Sequence, residues 1–232
     1  MRTRGHCILM LLMAGLAAAG SQLLADSDDR ASAASPTIAD ALAVVDRPEM
    51  AARVRVRGIV TLAFGDNAAF AIQDDTGGIW ATTFGKPKDA PEQIVRAGLR
   101  AGNVVEVMGR LDRGAYAPLV LVDELRVVGK EPLPEPLSAD LPRLFRGGDN
   151  CRRVAVEGIV RSIRSDGRYD GLFLDVDSRQ LLVIFPREIS RTAAANLIDA
   201  TVRVVGVTGA IRNARGEFLY PRLSIGGADD IE

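Results

Sequence analysis

Apolar and polar side chains alternate along two stretches that lie one hundred residues apart and read almost alike. Val54 and Val56 alternate with Arg53, Arg55 and Arg57 and run into Gly58, Ile59 and Val60; Val154 and Val156 run in the same way into Gly158, Ile159 and Val160. A period of two predicts a strand with one buried face, and a glycine inside it predicts a bend or bulge. Four more strands follow the first copy, at 68–73, 79–84, 104–109 and 119–128, with an Asp74-Asp75-Thr76-Gly77-Gly78 turn between the second and third. The second copy repeats the series at 152–162, 171–176, 180–185, 201–207 and 218–225. Helical spacing is confined to short pieces. Ile38, Leu42 and Val45 share one face over 37–45, and Leu141, Leu144 and Phe145 share one over 138–145, with Ser138 as the expected cap. A third helix is expected over 187–197.

Five short strands, a glycine bend in the first and a longer excursion between the third and fourth follow the order of an OB-fold barrel, a closed sheet without exposed edges. The expected fold class is therefore all-β with short helices: two tandem five-stranded OB-fold-like barrels, each preceded by a short helix. The expected organisation is a signal peptide over 1–25, a disordered leader over 26–36, a first domain over 37–129, a proline-rich linker over 130–137 and a second domain over 138–232.

The N-terminus carries Arg2, Arg4 and His6 ahead of an apolar run from Ile8 to Ala19 and then small residues, the layout of a secretory signal. The run is shorter than the roughly 20 residues a membrane-spanning helix needs. Cleavage gives a periplasmic or secreted chain with no transmembrane helix, whereas retention gives an N-terminal anchor. His6 is the only histidine and Cys7 one of two cysteines. After cleavage Cys151 stands alone, so an internal disulfide, a Cys/His zinc site and a serine-histidine triad are all excluded. Cys151 is expected as a half-buried thiol just ahead of a strand. No enzyme activity, metal or cofactor is implied.

Charge narrows the partners further. The formal net charge is −1, with eleven Lys/Arg against nine Asp/Glu over 51–130 and twelve against twelve over 148–232. Neither half has the positive excess that polyphosphate backbones favour, and balanced charge together with export disfavours nucleic acid.

Period-two alternation points Phe70, Ile72, Ile79 and Ala81 inward, which leaves Gln73 and Trp80 on the outer face of strands two and three, where OB-folds commonly take ligands. The candidate ligand-binding set is Trp80, Gln73 and Thr82, with the alternating Arg55 and Arg57 of strand one. An outward indole can stack on a sugar, a base or an apolar side chain. Trp80 can equally pack against the N-terminal helix or the second domain, and Leu182 stands at its place in the second copy, so the feature is not duplicated. Asp74 and Asp75 suit a turn better than a cation or catalytic site. Arg161, Arg164 and Arg168, interleaved with Asp166 and Asp170, suit a solvated hairpin better than an anion site.

The runs GIVT, FAIQDDTGGIWA and LRAGNVVEVMGRL are similar to bacterial OB-fold modules of exported proteins, and their pairing resembles the periplasmic sensor regions in front of some bacterial histidine kinases. That resemblance implies a non-enzymatic binding or sensing module, although the sequence ends at Glu232 without a kinase. The expected partner is an envelope protein or small ligand, contacted through the domain 1 face and the inter-domain cleft. The alternative, by fold analogy, is a single-stranded nucleic-acid-binding protein.

Overall fold

Valine-rich alternation builds strands because branched side chains pack well on one pleated face, and the computed structural model contains eleven of them among the described residues. Those residues are 36–45, 53–64, 69–83, 98–114, 117–165, 170–185, 189, 191–213 and 215–232. The expected signal peptide, and the leader as far as residue 35, lie outside them. So do Arg168, Asp166 and residues 187, 188 and 190 of the expected third helix.

Barrel 1 comprises β1 (Arg53–Ala63), β2 (Ala69–Gln73), β3 (Gly78–Thr82), β4 (Asn103–Asp112) and β5 (Leu119–Lys130), closed in the order β1-β2-β3-β5-β4. After β6 (Leu137–Ser138), barrel 2 repeats it with β7 (Arg153–Ser165), β8 (Asp170–Val176), β9 (Arg179–Phe185), β10 (Thr201–Arg212) and β11 (Phe218–Ser224). Its order is β7-β8-β9-β11-β10, and pairing of β10 with β7 closes it. In both barrels the third and fifth strands run parallel and every other pair in the ring runs antiparallel. This is OB topology twice over, as the strand pattern predicts. The two-residue β6 comes from the end of the proline-rich linker and adds in parallel to β7.

The first strand of each barrel must pair with two neighbours, and the repeated glycine sits where it changes from one to the other. Residues 53–59 of β1 pair with β4, while Ile59 also begins the pairing with β2. A Cβ at Gly58 would lie 2.9 Å from the Gln73 carbonyl oxygen, and one at Gly158 would lie 2.8 Å from that of Asp175. A bulge follows at the same place in each copy, between Val60 and Leu62 and between Val160 and Ser162. The bulge turns the strand toward its second partner.

Each barrel closes over its own core. Val56, Val60, Phe70, Ile72, Ile79, Val105 and Val107 fill barrel 1, and Val156, Val160, Leu172, Leu174, Leu181, Val183 and Leu223 fill barrel 2. The helix α1 (Ile38–Ala43) adds Ile38 and Ala41 to the first core; α2 (Leu141–Leu144) and α3 (Arg191–Ala195) add Leu144 and Ala194 to the second. Both barrels belong to one compact unit, Ser35–Glu232.

The cap of α1 is a reciprocal Thr37–Asp40 box. In the second copy Asp140 is itself the cap, accepting from the Arg143 amide at 3.0 Å. The expectation that Ser138 starts this helix is corrected: β6 pairing with Ala155 holds Ser138 extended.

Asp74 binds α1 to the β2–β3 hairpin. One carboxylate oxygen accepts from the Thr76 amide (2.8 Å), the Thr76 hydroxyl (2.6 Å) and the Gly77 amide (2.8 Å), and the other accepts from the Ile38 amide (2.8 Å). Hydrogen bonds to a charged acceptor contribute about 1.5–3 kcal/mol. Asp74→Ala is expected to cost about 2–3 kcal/mol in chemical denaturation. Asp75→Ala, at an exposed neighbour, is expected to stay within about 0.5 kcal/mol.

Candidate binding surface

The outer face of barrel 1 is where the sequence places a ligand, and the structure places barrel 2 there. Strand parity is as expected: Phe70, Ile72, Ile79 and Ala81 are inside, while Leu62, Ala71 and Trp80 align on the outside. Leu62 and Ala71 are nevertheless buried, in a cluster with Cys151 and Val207 that Phe64 and Trp80 flank. The Trp80 indole stacks on Phe64, centroids 5.9 Å apart and 10° from parallel. The Gln73 side-chain carbonyl accepts from the Arg153 amide at 2.9 Å, and its residue is 4% exposed. Thr82 is buried as well.

Arg55 and Arg57 are exposed on β1, away from this cluster, and the Arg55 guanidinium meets Glu106 at 2.6 Å. The five candidate residues therefore do not assemble into one open site. The physical reason is that an outward apolar face on one barrel is removed from water by packing against a neighbouring barrel, which is favourable.

The contact is made by the turn just before β7. Thr208 holds it: its carbonyl accepts from the Cys151 amide, its hydroxyl accepts from the Arg152 amide, both at 3.0 Å, and the hydroxyl donates to the Asp149 carbonyl. Cys151 takes a left-handed backbone (φ 60°) there and is fully buried rather than half-buried. Burial pushes its thiol well above the ordinary value of 9.0, outweighing an Ile72 backbone hydrogen bond and the Arg222 charge, which lower it. Iodoacetamide at pH 8 is expected to leave Cys151 unmodified in the folded chain and to alkylate it within minutes in denaturant, as followed by mass spectrometry. Because the folded thiol titrates above the unfolded one, the unfolded state loses its proton first. Stability from this group is full below about pH 9 and declines as pH rises toward the folded value.

Barrel 2 carries a different outer face. Ser162, Phe173, Leu182 and Arg222 align across β7, β8, β9 and β11. Phe173 and Leu182 thus hold the places that Ala71 and Trp80 hold in barrel 1. Tyr220 of β11 meets the Phe173 ring edge-on, centroids 5.8 Å apart and 71° between planes. The Arg164 guanidinium donates to the Tyr220 hydroxyl at 2.8 Å. Both rings are half-buried beside an exposed Ser162. Arg161 lies on the same strand and is held by Asp175 (3.6 Å) and Asp199 (3.2 Å).

This aromatic pair was missed in the sequence. Alternation over 171–176 places Phe173 outside, but the partner Tyr220 comes from a distant strand, and nothing local joins them. Among the described residues no cluster of three or more acidic, histidine or cysteine side chains could hold a metal ion, and no helix is long and apolar enough to cross a membrane.

No protein-family model and no curated protein matches the chain. Solved structures do align with it. The tetrameric p202 HIN2 shares 15% identity over 74% of this chain and 87% of its own, with a TM-score of 0.33. The Ifi202 HINa domain, solved in complex with 20bp dsDNA, shares 10% over 75% and 95%, with a TM-score of 0.32. The tRNA agmatidine synthetase TiaS, solved in complex with tRNA and ATP, shares 21% over 60% of this chain and 29% of its own, with a TM-score of 0.28. None of these three is a bacterial sensor region.

One expectation is corrected by these neighbours: nucleic acid, disfavoured above on charge and export, is bound in two of the three structures and is not excluded as a partner. The physical reason is that charge counted over the whole chain or over either half averages over every surface, whereas binding is decided by one face. At these TM-scores the likeness transfers no activity. What the chain is similar to rests on its own strand order, which is that of two tandem OB barrels.

Proposed function

We propose that this chain is a non-catalytic binding module that takes single-stranded nucleic acid on the outer face of barrel 2. One observation carries the reading: Phe173 and Tyr220, joined to the Arg164 guanidinium, occupy the second and fifth strands of a barrel whose sister has the same face covered. Exposed ring surface beside a guanidinium suits a base stacked next to its phosphate, and it is sequence-tolerant because every base has a flat face. The bond to the Tyr220 hydroxyl fixes the Arg164 guanidinium beside the ring pair.

The basic-apolar N-terminus supports a second reading, in which the chain is exported to the periplasm or beyond and the same rings meet an envelope protein or sugar-bearing ligand. Anisotropy of a labelled oligothymidine separates the two. Saturable binding at about 50 mM salt is expected, with a log–log salt slope between about −0.7 and −1.4, the value for one or two neutralised phosphates on a single strand. A flat response at low salt removes the nucleic-acid reading and leaves the second.

A further inference from the structure

A cavity of about 420 Å³ lies between the barrels, away from the Phe173 face, in the inter-domain cleft to which the sequence assigns a ligand without specifying its chemistry. Leu62, Leu99, Val205 and Val207 give it apolar walls. Ser224 lines it too: its residue is 1% exposed and its hydroxyl has no hydrogen-bond partner among the described residues. A buried hydroxyl left unsatisfied is costly, and it is tolerated where something else supplies the missing bond.

Two arginines and two aspartates line the cavity. Arg100 and Asp229 are exposed at its edge. Arg153 is half-buried and gives one guanidinium N–H to the Pro134 carbonyl at 2.9 Å, with others left over. Asp230 is already engaged, accepting from the Gly226 and Gly227 amides at 2.8 and 3.3 Å. That leaves guanidinium groups for an anion, the Asp229 carboxylate for a cation, a hydroxyl inside and aliphatic walls.

We infer that this cavity is a binding site for a small zwitterion with an apolar body, on the scale of an apolar amino acid or dipeptide. The carboxylate meets Arg100 and Arg153, the ammonium meets Asp229, the aliphatic part covers the leucine and valine walls, and a backbone polar group satisfies Ser224. A ligand with only one of the two charges leaves the opposite group on the protein unpaired. The volume falls within the ordinary range of small-molecule sites.

Trp80 is the sole tryptophan and packs on the cluster that contains Leu62 and Val207, two of the cavity walls. Its emission therefore reports on the site. The full chain is titrated with L-leucine and L-leucyl-L-leucine, with calorimetry as a second readout, alongside leucinamide and 4-methylpentanoate, which each lack one charge. A saturable change with leucine or the dipeptide is expected, with affinity at least about fivefold weaker for both one-charge analogues. Ser224→Ala is expected to weaken binding about five- to tenfold while its Tm holds or rises, because the variant removes an unsatisfied group. Arg100→Ala, at the exposed edge, is expected to weaken the dipeptide and leave leucinamide unchanged. Absence of a saturable signal in both readouts up to about 10 mM overturns the inference. Equal affinity for the one-charge analogues, or full affinity in Ser224→Ala, overturns it as well. None of these outcomes depends on whether oligothymidine binds.

Discussion

Gly78→Ala is expected to cost about 3 kcal/mol and to lower Tm by about 6–12 °C, because it adds volume where two backbones already touch. A Cβ at this position would lie 2.0 Å from the Cys151 carbonyl oxygen and 2.6 Å from its carbon, far inside van der Waals contact. Neither side can yield easily. Gly78 is paired with Gln73 in the β2–β3 hairpin, whose side chain also holds the Arg153 amide, and Cys151 is pinned through Thr208. The cheapest relief is therefore separation of the barrels, which exposes the Leu62–Ala71–Val207 cluster and the Trp80 face. Differential scanning calorimetry and the Trp80 emission maximum read the two consequences, a lower transition and a red shift. Gly227→Ala, in extended backbone with no atom within 4 Å of the added carbon, serves as the silent control. If Gly78→Ala melts within about 2 °C of the parent, the barrels are not docked as described.

Phe173→Ala is expected to weaken oligothymidine binding by about tenfold or more, since stacking on one ring contributes about 1–3 kcal/mol. Tyr220→Phe removes the hydroxyl that accepts from Arg164 but keeps the ring, so its effect should be smaller, about two- to fivefold. Trp80→Phe is expected to leave affinity within about twofold, because the indole is stacked on Phe64 at the barrel junction. Thermal melts of all three variants separate loss of binding from loss of folding. The surface assignment is wrong if the Trp80 variant abolishes binding while the Phe173 variant retains it.

Much of this arrangement is legible along the chain because a closed sheet is built from local rules. The period-two runs locate the strands, and Gly58 and Gly158 mark the point where the first strand changes partners. Alternation also sorts Phe70 and Ile72 from Ala71 and Gln73 correctly. The errors arise where a residue's neighbour comes from elsewhere in the chain. Ser138 reads as a helix cap and is drawn into β6 by Ala155. Gln73 reads as an outer-face ligand contact, and its side-chain carbonyl accepts from the Arg153 amide. Charge balance reads as an argument against nucleic acid and says nothing about one aromatic face.

The amino-acid order alone determines that the chain makes two copies of one OB barrel and which side chains of each strand face inward, because both follow from pleat and bend within a few residues. Only the tertiary structure decides which outer face is covered by the neighbouring barrel. That choice depends on barrel 2 burying the apolar surface around Trp80, and on Phe173, Tyr220 and Arg164 meeting across strands far apart in the chain. Such contacts are selected by the surface buried and the hydrogen bonds satisfied over the whole fold, and no local pattern encodes them.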